Sequence, residues 1–219
     1  MPRRSDLDTF YALLDEVGGR IGGRRRLGDC HGRMSWPLRG VYYFFEPSEH
    51  RDVVSAQHRI VRVGTHALTS KSRTTLWKRL GQHRGTSDPR GGNHRGSIFR
   101  LLVGEALLNR DASITVESWG RGSSATSDLR ALEREHEIRV SEHLSEMKLL
   151  FVDVPDDPGQ DSARGIIERN SIALLSSYRE LSPDQRVPVG LATTVGASGC
   201  AGLGCGTTTM LMKPTITTS

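Results

Sequence analysis

The most constraining feature of this sequence is a pair of β-forming segments followed directly by a helix. Residues 40–45 form a continuous run of β-branched and aromatic side chains, and residues 59–64 form a second apolar strand pattern. The connection between the two segments is polar, which favours an antiparallel hairpin. Thr74 or Thr75 is placed to cap a helix that ends at about His83. The sequence therefore predicts a small sheet with this helix packed beside it.

The hairpin pattern also predicts strand ends and side-chain directions. Pro47 is expected to end the first strand, since proline has no N–H to donate to a ladder. In the second strand, strict alternation places Ile60 and Arg62 on one face of the sheet. The same alternation places Val61 and Val63 on the opposite face.

The remaining patterns complete an α+β fold, a small three-stranded antiparallel sheet flanked by helices, in the order β-β-α-α-α-β-α. An amphipathic N-terminal helix precedes this set, and the arginines at 24–26 are expected in a loop. The other predicted elements are helices at about 97–108, 128–146 and 162–178 and a strand at 148–154. The buried candidates of the helix at 128–146 are Leu129, Leu132, Ile138 and Leu144.

We divide the chain into an N-terminal helical and basic extension (1–38), a central domain (39–178) and a tail (179–219). Residues 190–219 contain a single charged side chain, Lys213, and no helical or strand periodicity. The tail is therefore expected to be disordered. A second hypothesis is that it is read out of frame from about Val187, which the sequence of the gene would decide.

The charge of the chain is unevenly distributed. The net charge is +5, but residues 1–110 hold 20 Lys and Arg against 10 Asp and Glu, whereas residues 111–219 hold 10 against 15. Most of the cations are arginines, whose planar fork suits phosphate. The basic half is either a solvated face or, together with the strand and helix pattern, a surface for a polyanion.

Other features point to the cellular setting. No run of about 18 apolar residues is present, so no membrane span is expected. The N-terminus has no apolar segment typical of a secretory signal. Three cysteines without a repeating spacing favour a reducing, cytoplasmic environment over a disulfide framework.

The ordered set of strand, strand, helix, strand and helix resembles the GIY-YIG nuclease superfamily. Gly-Val-Tyr at 40–42 matches the first name motif, and Arg-Val-Gly at 62–64 has arginine where the second motif usually has tyrosine. The family's catalytic arginine matches Arg79. Restriction-type members, which carry a histidine one turn later, are nearest because His83 fits that position. The family's metal-binding glutamate matches Glu168.

The resemblance covers about residues 39–178 and implies a DNA endonuclease that uses Mg²⁺ or Mn²⁺. It implies that Tyr42 orients or deprotonates the attacking water and that Arg79 stabilises the pentacovalent phosphate. His83 would be a second phosphate donor or a proton shuttle, and Glu168 would hold the metal ion.

Each of these residue types also has a structural interpretation. A tyrosine on an apolar strand is commonly a core residue. An arginine or histidine on a helix is commonly solvated, and a glutamate on an amphipathic helix commonly lies at the surface. The sequence leaves these alternatives open for all four positions.

Arg62 is the main departure from the family pattern. A guanidinium cannot act as a base, so this side chain can only bind phosphate or pair with a carboxylate. Either Arg62 grips the substrate, or the domain is a binding remnant without turnover. The residues expected to bind substrate are Arg62, Gly64, Arg84, His94 and Arg95, the last two in a Gly-rich basic loop.

These patterns favour a metal-dependent endonuclease that hydrolyses DNA phosphodiester bonds. One alternative is a catalytically degenerate nucleic-acid-binding module on the same fold. Another is a small interaction protein whose basic half docks an acidic partner. The sequence leaves the oligomeric state open.

Overall fold

A computed structural model describes residues 2–51, 57–86 and 91–176, which form an α+β fold. The helices are α1 (Pro2–Arg20), α2 (Leu76–Arg84), α3 (Ile98–Arg110), α4 (Ser127–Glu146) and α5 (Ala163–Leu175). The strands are β1 (Arg25–Arg26), β2 (Gly40–His50), β3 (His58–Gly64) and β4 (Lys148–Asp153). None of the helices in the described ranges combines the length and apolar character that crossing a membrane requires. The expectations for the tail lie outside the described residues.

The strands form one antiparallel sheet in the order β1-β4-β2-β3. The expected three-stranded sheet is corrected to four strands, because Arg25 and Arg26 pair with Leu149 and Lys148 at the edge of the sheet. A strand of two residues carries no periodic pattern, so this arginine-rich segment has the appearance of a loop in the sequence.

β2 continues to His50, beyond the proline that was expected to end it. Regular pairing of β2 with β4 stops at Phe45, and the β2–β3 register is interrupted between Phe45 and His50. Pro47 falls in this irregular part, where its missing N–H leaves no regular ladder bond unmade.

β3 contains a β-bulge at Val61, which corrects the expected alternation. Arg62 and Ile60 pair with neighbouring residues of β2, so Val61 between them has no partner across the ladder. Val61 therefore packs in the same core as Tyr42, whereas Ile60 and Val63 pack in the core on the opposite side of the sheet.

Helices cover both faces of the sheet. The first face packs against α2, α3 and α4, and the second face packs against α1 and α5. Consecutive residues of β2 consequently point to different cores, Tyr42 to the first and Tyr43 to the second. α1 contributes Leu7, Tyr11 and Leu14 to the second core, so the N-terminal segment covers one side of the sheet.

Side-chain caps fix where the two site-bearing helices begin. The Thr75 hydroxyl accepts a hydrogen bond from the Lys78 N–H, and α2 ends at Gly85, whose φ is 73°. The Ser162 hydroxyl accepts in the same way from the Gly165 N–H at the start of α5. These caps fix the first residue of each helix.

Candidate active site

Tyr42 on β2 and His83 in the last turn of α2 are in direct contact on the first face. The distance from Tyr42 Oη to His83 Nε2 is 2.7 Å. Leu76 and Leu80 hold α2 against the sheet, and a residue three positions after Leu80 falls on the same inner side. Both Tyr42 and His83 are 0% exposed, so the pair is enclosed in the free protein.

The enclosed imidazole is neutral. Burial holds the pKa of His83 well below its ordinary value, and the charges of three neighbouring arginines, first among them Arg79, act in the same direction. A neutral ring has one N–H, and Nδ1 lies 2.7 Å from Ser97 Oγ. If Nδ1 carries the proton, it donates to Ser97 Oγ, and Nε2 accepts a hydrogen bond from the Tyr42 hydroxyl. If Nε2 carries the proton, it donates to Tyr42 Oη, and Nδ1 accepts from the Ser97 hydroxyl.

A buried ion pair holds the backbone around His83. Arg100 on α3 donates from Nη1 to the carbonyl oxygens of His83 at 3.0 Å and Arg84 at 3.2 Å. Its Nε donates to Glu137 Oε2 on α4 at 3.1 Å. The end of α2 is thus fixed to two other helices through a guanidinium that is 0% exposed.

Gly64 allows Tyr42 to lie across the end of β3. The two residues are partners in the β2–β3 ladder. A Cβ at position 64 would overlap the Tyr42 hydroxyl and the ring carbon that carries it. The close approach of the phenol is therefore enough to explain a glycine at this position.

We expect Gly64→Ala to lower the free energy of unfolding by about 1–3 kcal/mol, because the added methyl group overpacks the Tyr42 ring. Gly81→Ala is the matched control, since its Cβ would meet nothing within 4 Å on α2. That change is expected to stabilise the protein by about 0.5–1 kcal/mol through helix propensity. Urea unfolding measures both, and equal stabilities would contradict the close approach.

Glu168 on α5 places a carboxylate beside the end of β3. Its Oε1 accepts a hydrogen bond at 3.1 Å from the backbone N–H of Thr65, the first residue after the strand. Burial raises the pKa of Glu168, against the opposing effects of Arg62 and the Thr65 N–H. Oε2 makes no hydrogen bond to a described residue and is not enclosed. One carboxylate oxygen is thus open to a further ligand.

Arg79 carries a positive charge that acts on both His83 and Glu168. It is half-buried on α2 and donates from Nη1 to Gln82 Oε1 at 2.9 Å. Its charge acts to lower the pKa of both His83 and Glu168. It forms no ion pair with any described carboxylate, and its charge remains available to an anion.

Arg62 reaches the same region from β3. The side chain is 2% exposed, with Cζ 5.7 Å from the centre of the Phe99 ring. Its charge, like that of Arg79, acts on both His83 and Glu168. Glu168 nevertheless accepts from the backbone N–H of Thr65, the first residue after β3, and forms no ion pair with Arg62.

Three residues expected to bind substrate lie apart from this cluster. Arg84 donates to a backbone carbonyl in the 3₁₀ turn after β1. His94 is 2% exposed and bonds to Glu137 at 3.0 Å, and Arg95 is paired with Glu133 at 2.6 Å. Both side chains are already paired with carboxylates of α4, and their contact with phosphate stays a prediction.

Three neighbours of the site have no signal in the sequence. Ser97 has the pattern of a helix cap, and no sequence pattern connects it to His83, 14 residues earlier in the chain. Thr65 acts through its backbone. His66 is 5% exposed, and its Nδ1 is enclosed without a hydrogen-bond partner. Burial lowers the pKa of His66 to about 4, and the charges of Arg164, Arg39 and Arg79 act in the same direction.

The donor set fits a divalent cation that takes few protein ligands. No group of three or more His, Cys, Asp or Glu side chains that could hold a metal ion occurs in the described residues. Glu168 offers one free oxygen, and Mg²⁺ is commonly held by one or two carboxylates, with waters and substrate phosphates as the other ligands. Mg²⁺ or Mn²⁺ bound in this way would depend partly on the substrate.

Two open cavities, of ≈ 390 Å³ and ≈ 310 Å³, lie along α4. Neither of them is lined by Tyr42, Arg79 or Glu168.

A family model described as GIY-YIG domain matches residues 1–194 of the 219-residue chain. Comparison with curated proteins and with solved structures found no match. The matched segment contains all the helices and strands described above, so the sheet and the site belong to one family domain.

Proposed function

Because the chain belongs to the GIY-YIG domain family, we propose that it is a metal-dependent endonuclease that hydrolyses phosphodiester bonds in DNA. The observation that carries this proposal is the arrangement at the end of β3. The Tyr42–His83 contact lies on one side of it, and the free carboxylate oxygen of Glu168 lies on the other. Arg79 acts electrostatically on both sides.

In the proposed reaction, a water molecule attacks the phosphorus atom and the P–O bond to the leaving oxygen breaks. Tyr42 Oη takes the proton of the water while its own proton moves to Nε2 of His83, whose Nδ1–H is held by Ser97. Arg79 stabilises the additional negative charge of the transition state. Because Tyr42 is enclosed in the free protein, the proposed step requires that the Tyr42 hydroxyl become accessible to water when the substrate binds.

Glu168 holds the metal ion, Mg²⁺ or Mn²⁺, through its free oxygen. When bound, the metal polarises the phosphate and stabilises the leaving oxygen. The hydrogen bond from Thr65 to the other carboxylate oxygen fixes the direction in which Glu168 points.

The surface around the site favours a polyanion. Exposed cations lie on the β3–α2 connection, on α2 and on α5, the segments that carry the site, and none of them forms an ion pair within the described residues: Lys71, Arg73, Lys78 and Arg169. DNA is therefore the proposed partner. We place this activity in the cytoplasm, in keeping with the free thiol of Cys30.

A catalytically degenerate DNA-binding module is the second candidate. Two observations favour it: arginine occupies position 62, where the family usually has tyrosine, and the Tyr42 hydroxyl is enclosed. Such a module would keep the basic surface and bind DNA without cutting it.

Incubation with supercoiled plasmid separates these candidates. We expect nicked or linear DNA in the presence of Mg²⁺ or Mn²⁺ and intact plasmid in the presence of EDTA. Gel-shift retention at about 0.1 M salt without cleavage in either metal would favour the binding module. Absence of both cleavage and retention would favour an acidic protein as the partner.

A further inference from the structure

Arg62 differs from every other buried arginine in the described residues. Arg59, Arg100 and Arg164 are also buried, and each of them is paired with a carboxylate, Glu49, Glu137 and Asp156 respectively. Arg62 is 2% exposed and forms no ion pair with a described residue. A buried charge without a partner is costly, so the fold retains it against an energetic penalty.

The donors of Arg62 are also unsatisfied. Nε and Nη1 are fully enclosed and have no hydrogen-bond partner. Nη2 makes no hydrogen bond to a described residue either, but it is not enclosed, so this end of the fork reaches solvent. The guanidinium is thus buried along most of its length and open at one edge.

The surroundings of Arg62 show what can approach that edge. The Phe99 ring lies 5.7 Å from Cζ and covers one side of the guanidinium. The charge of Arg62 acts on both His83 and Glu168, so the open edge lies in the field of the proposed active site. Glu168 is turned to Thr65, which leaves the open edge without a negative partner.

We infer that Arg62 binds a phosphate group of the substrate and, with Arg79, forms a two-guanidinium clasp at the position where the family has the second tyrosine. This inference rests on the proposed function and names a subsite within it. The group that Nη2 binds must be an anion, because a guanidinium carries a positive charge and has only donors to offer. A phosphate oxygen can accept a charge-assisted hydrogen bond from Nη2, the donor that is not enclosed.

Direct binding of inorganic phosphate tests the clasp. The probe is added to metal-free full-length protein at constant ionic strength, and its ³¹P line width and the melting temperature are followed. We expect Arg62→Gln to weaken phosphate binding about tenfold or more, because a charge-assisted hydrogen bond is lost. Arg130→Gln, which removes an exposed cation of α4, is expected to leave the affinity within about twofold of wild type.

Stability without phosphate distinguishes a ligand-binding role from a structural one. Removal of an uncompensated buried charge is expected to leave the melting temperature of Arg62→Gln unchanged or raised. A lowered melting temperature with unchanged phosphate affinity would overturn the inference. If Arg62→Gln does not fold, Arg62→Lys takes its place, since it keeps the charge but not the fork. Weakened phosphate binding by Arg62→Lys supports the clasp, and wild-type affinity overturns it.

These measurements use neither DNA nor metal, so they are independent of cleavage. Phosphate binding that requires Arg62, in a protein that cuts no plasmid, would refute the nuclease and support the clasp. Plasmid cleavage by Arg62→Gln with wild-type KM and wild-type phosphate affinity would refute the clasp and leave the nuclease in place.

Discussion

Replacement of Tyr42 by phenylalanine is expected to reduce metal-dependent plasmid cleavage by about a hundredfold or more. The change removes only the hydroxyl, which is the atom that would take the proton from the attacking water. It also leaves Nε2 of His83 without its partner at 2.7 Å. The measurement is the initial rate of nicking at saturating Mg²⁺, with DNA affinity determined separately by gel shift in EDTA.

The neighbouring residue provides the control for this change. Tyr43 points to the second face and has its hydroxyl 3.3 Å from Ser171 Oγ, and burial raises its pKa to about 12. Tyr43→Phe also removes a buried hydroxyl, and each variant is expected to lose about 1–3 kcal/mol of stability at most. Equal cleavage rates for the two variants would mean that the Tyr42–His83 contact is structural.

The apolar pattern predicts much of the fold, because the buried face of a strand or helix can be read from the spacing of neighbouring apolar residues. The aromatic run from residue 40 predicts the strand that becomes β2, which both neighbouring strands pair with. Thr75, one of the two expected caps, begins α2, and Ser162, where the last helix was expected to start, caps α5. Positions of this kind depend on a few adjacent residues, and the sequence carries that information directly.

The bulge in β3 shows where local information ends. Alternation over residues 59–64 is compatible with a regular strand, and the unpaired position at Val61 is set by the partner strand. The two-residue strand β1 likewise exists only through its pairing with β4. Both features alter which side chains face the site, and neither leaves a pattern within its own segment.

The Gly-rich loop shows a second limit of local information. The loop suggests free basic side chains at His94 and Arg95, whereas the structure pairs them with Glu137 and Glu133, about forty residues downstream on α4. The same helix turns Leu132, expected in the core, to solvent at 76% exposure. The buried face of α4 thus includes carboxylates that are paired with arginines. Hydrophobic periodicity does not predict which face of such a helix is buried.

The residues of the candidate site can be predicted from the sequence mainly through the family resemblance. Tyr42 and His83 are 41 residues apart, and Glu168 lies on the helix that covers the opposite face of the sheet. No spacing rule joins positions that meet only after a sheet and two helices have packed. Supporting contacts such as Ser97 and the Thr65 N–H are therefore known only from the structure.

Replacement of Glu168 by glutamine is expected to abolish metal-dependent cleavage, with a loss of about a hundred- to a thousandfold. The amide oxygen can still accept the Thr65 hydrogen bond, so the local fold is retained while the negative charge is lost. DNA affinity in EDTA is expected to stay equal or to rise, because a carboxylate no longer faces the phosphate. Cleavage rates across a Mg²⁺ titration, together with gel shifts, measure both effects.

Glu105→Gln is the matched control for this experiment. Glu105 is a half-buried carboxylate on α3 whose pKa is also raised by burial, but it has no contact with the end of β3. Its replacement is expected to leave cleavage and the Mg²⁺ dependence unchanged. Cleavage by Glu168→Gln at the wild-type rate would show that Glu168 is not the metal ligand. If Glu168→Gln alone loses cleavage and still binds DNA, catalysis is separated from DNA recognition. The reason is that this substitution changes only the group that is proposed to hold the metal ion.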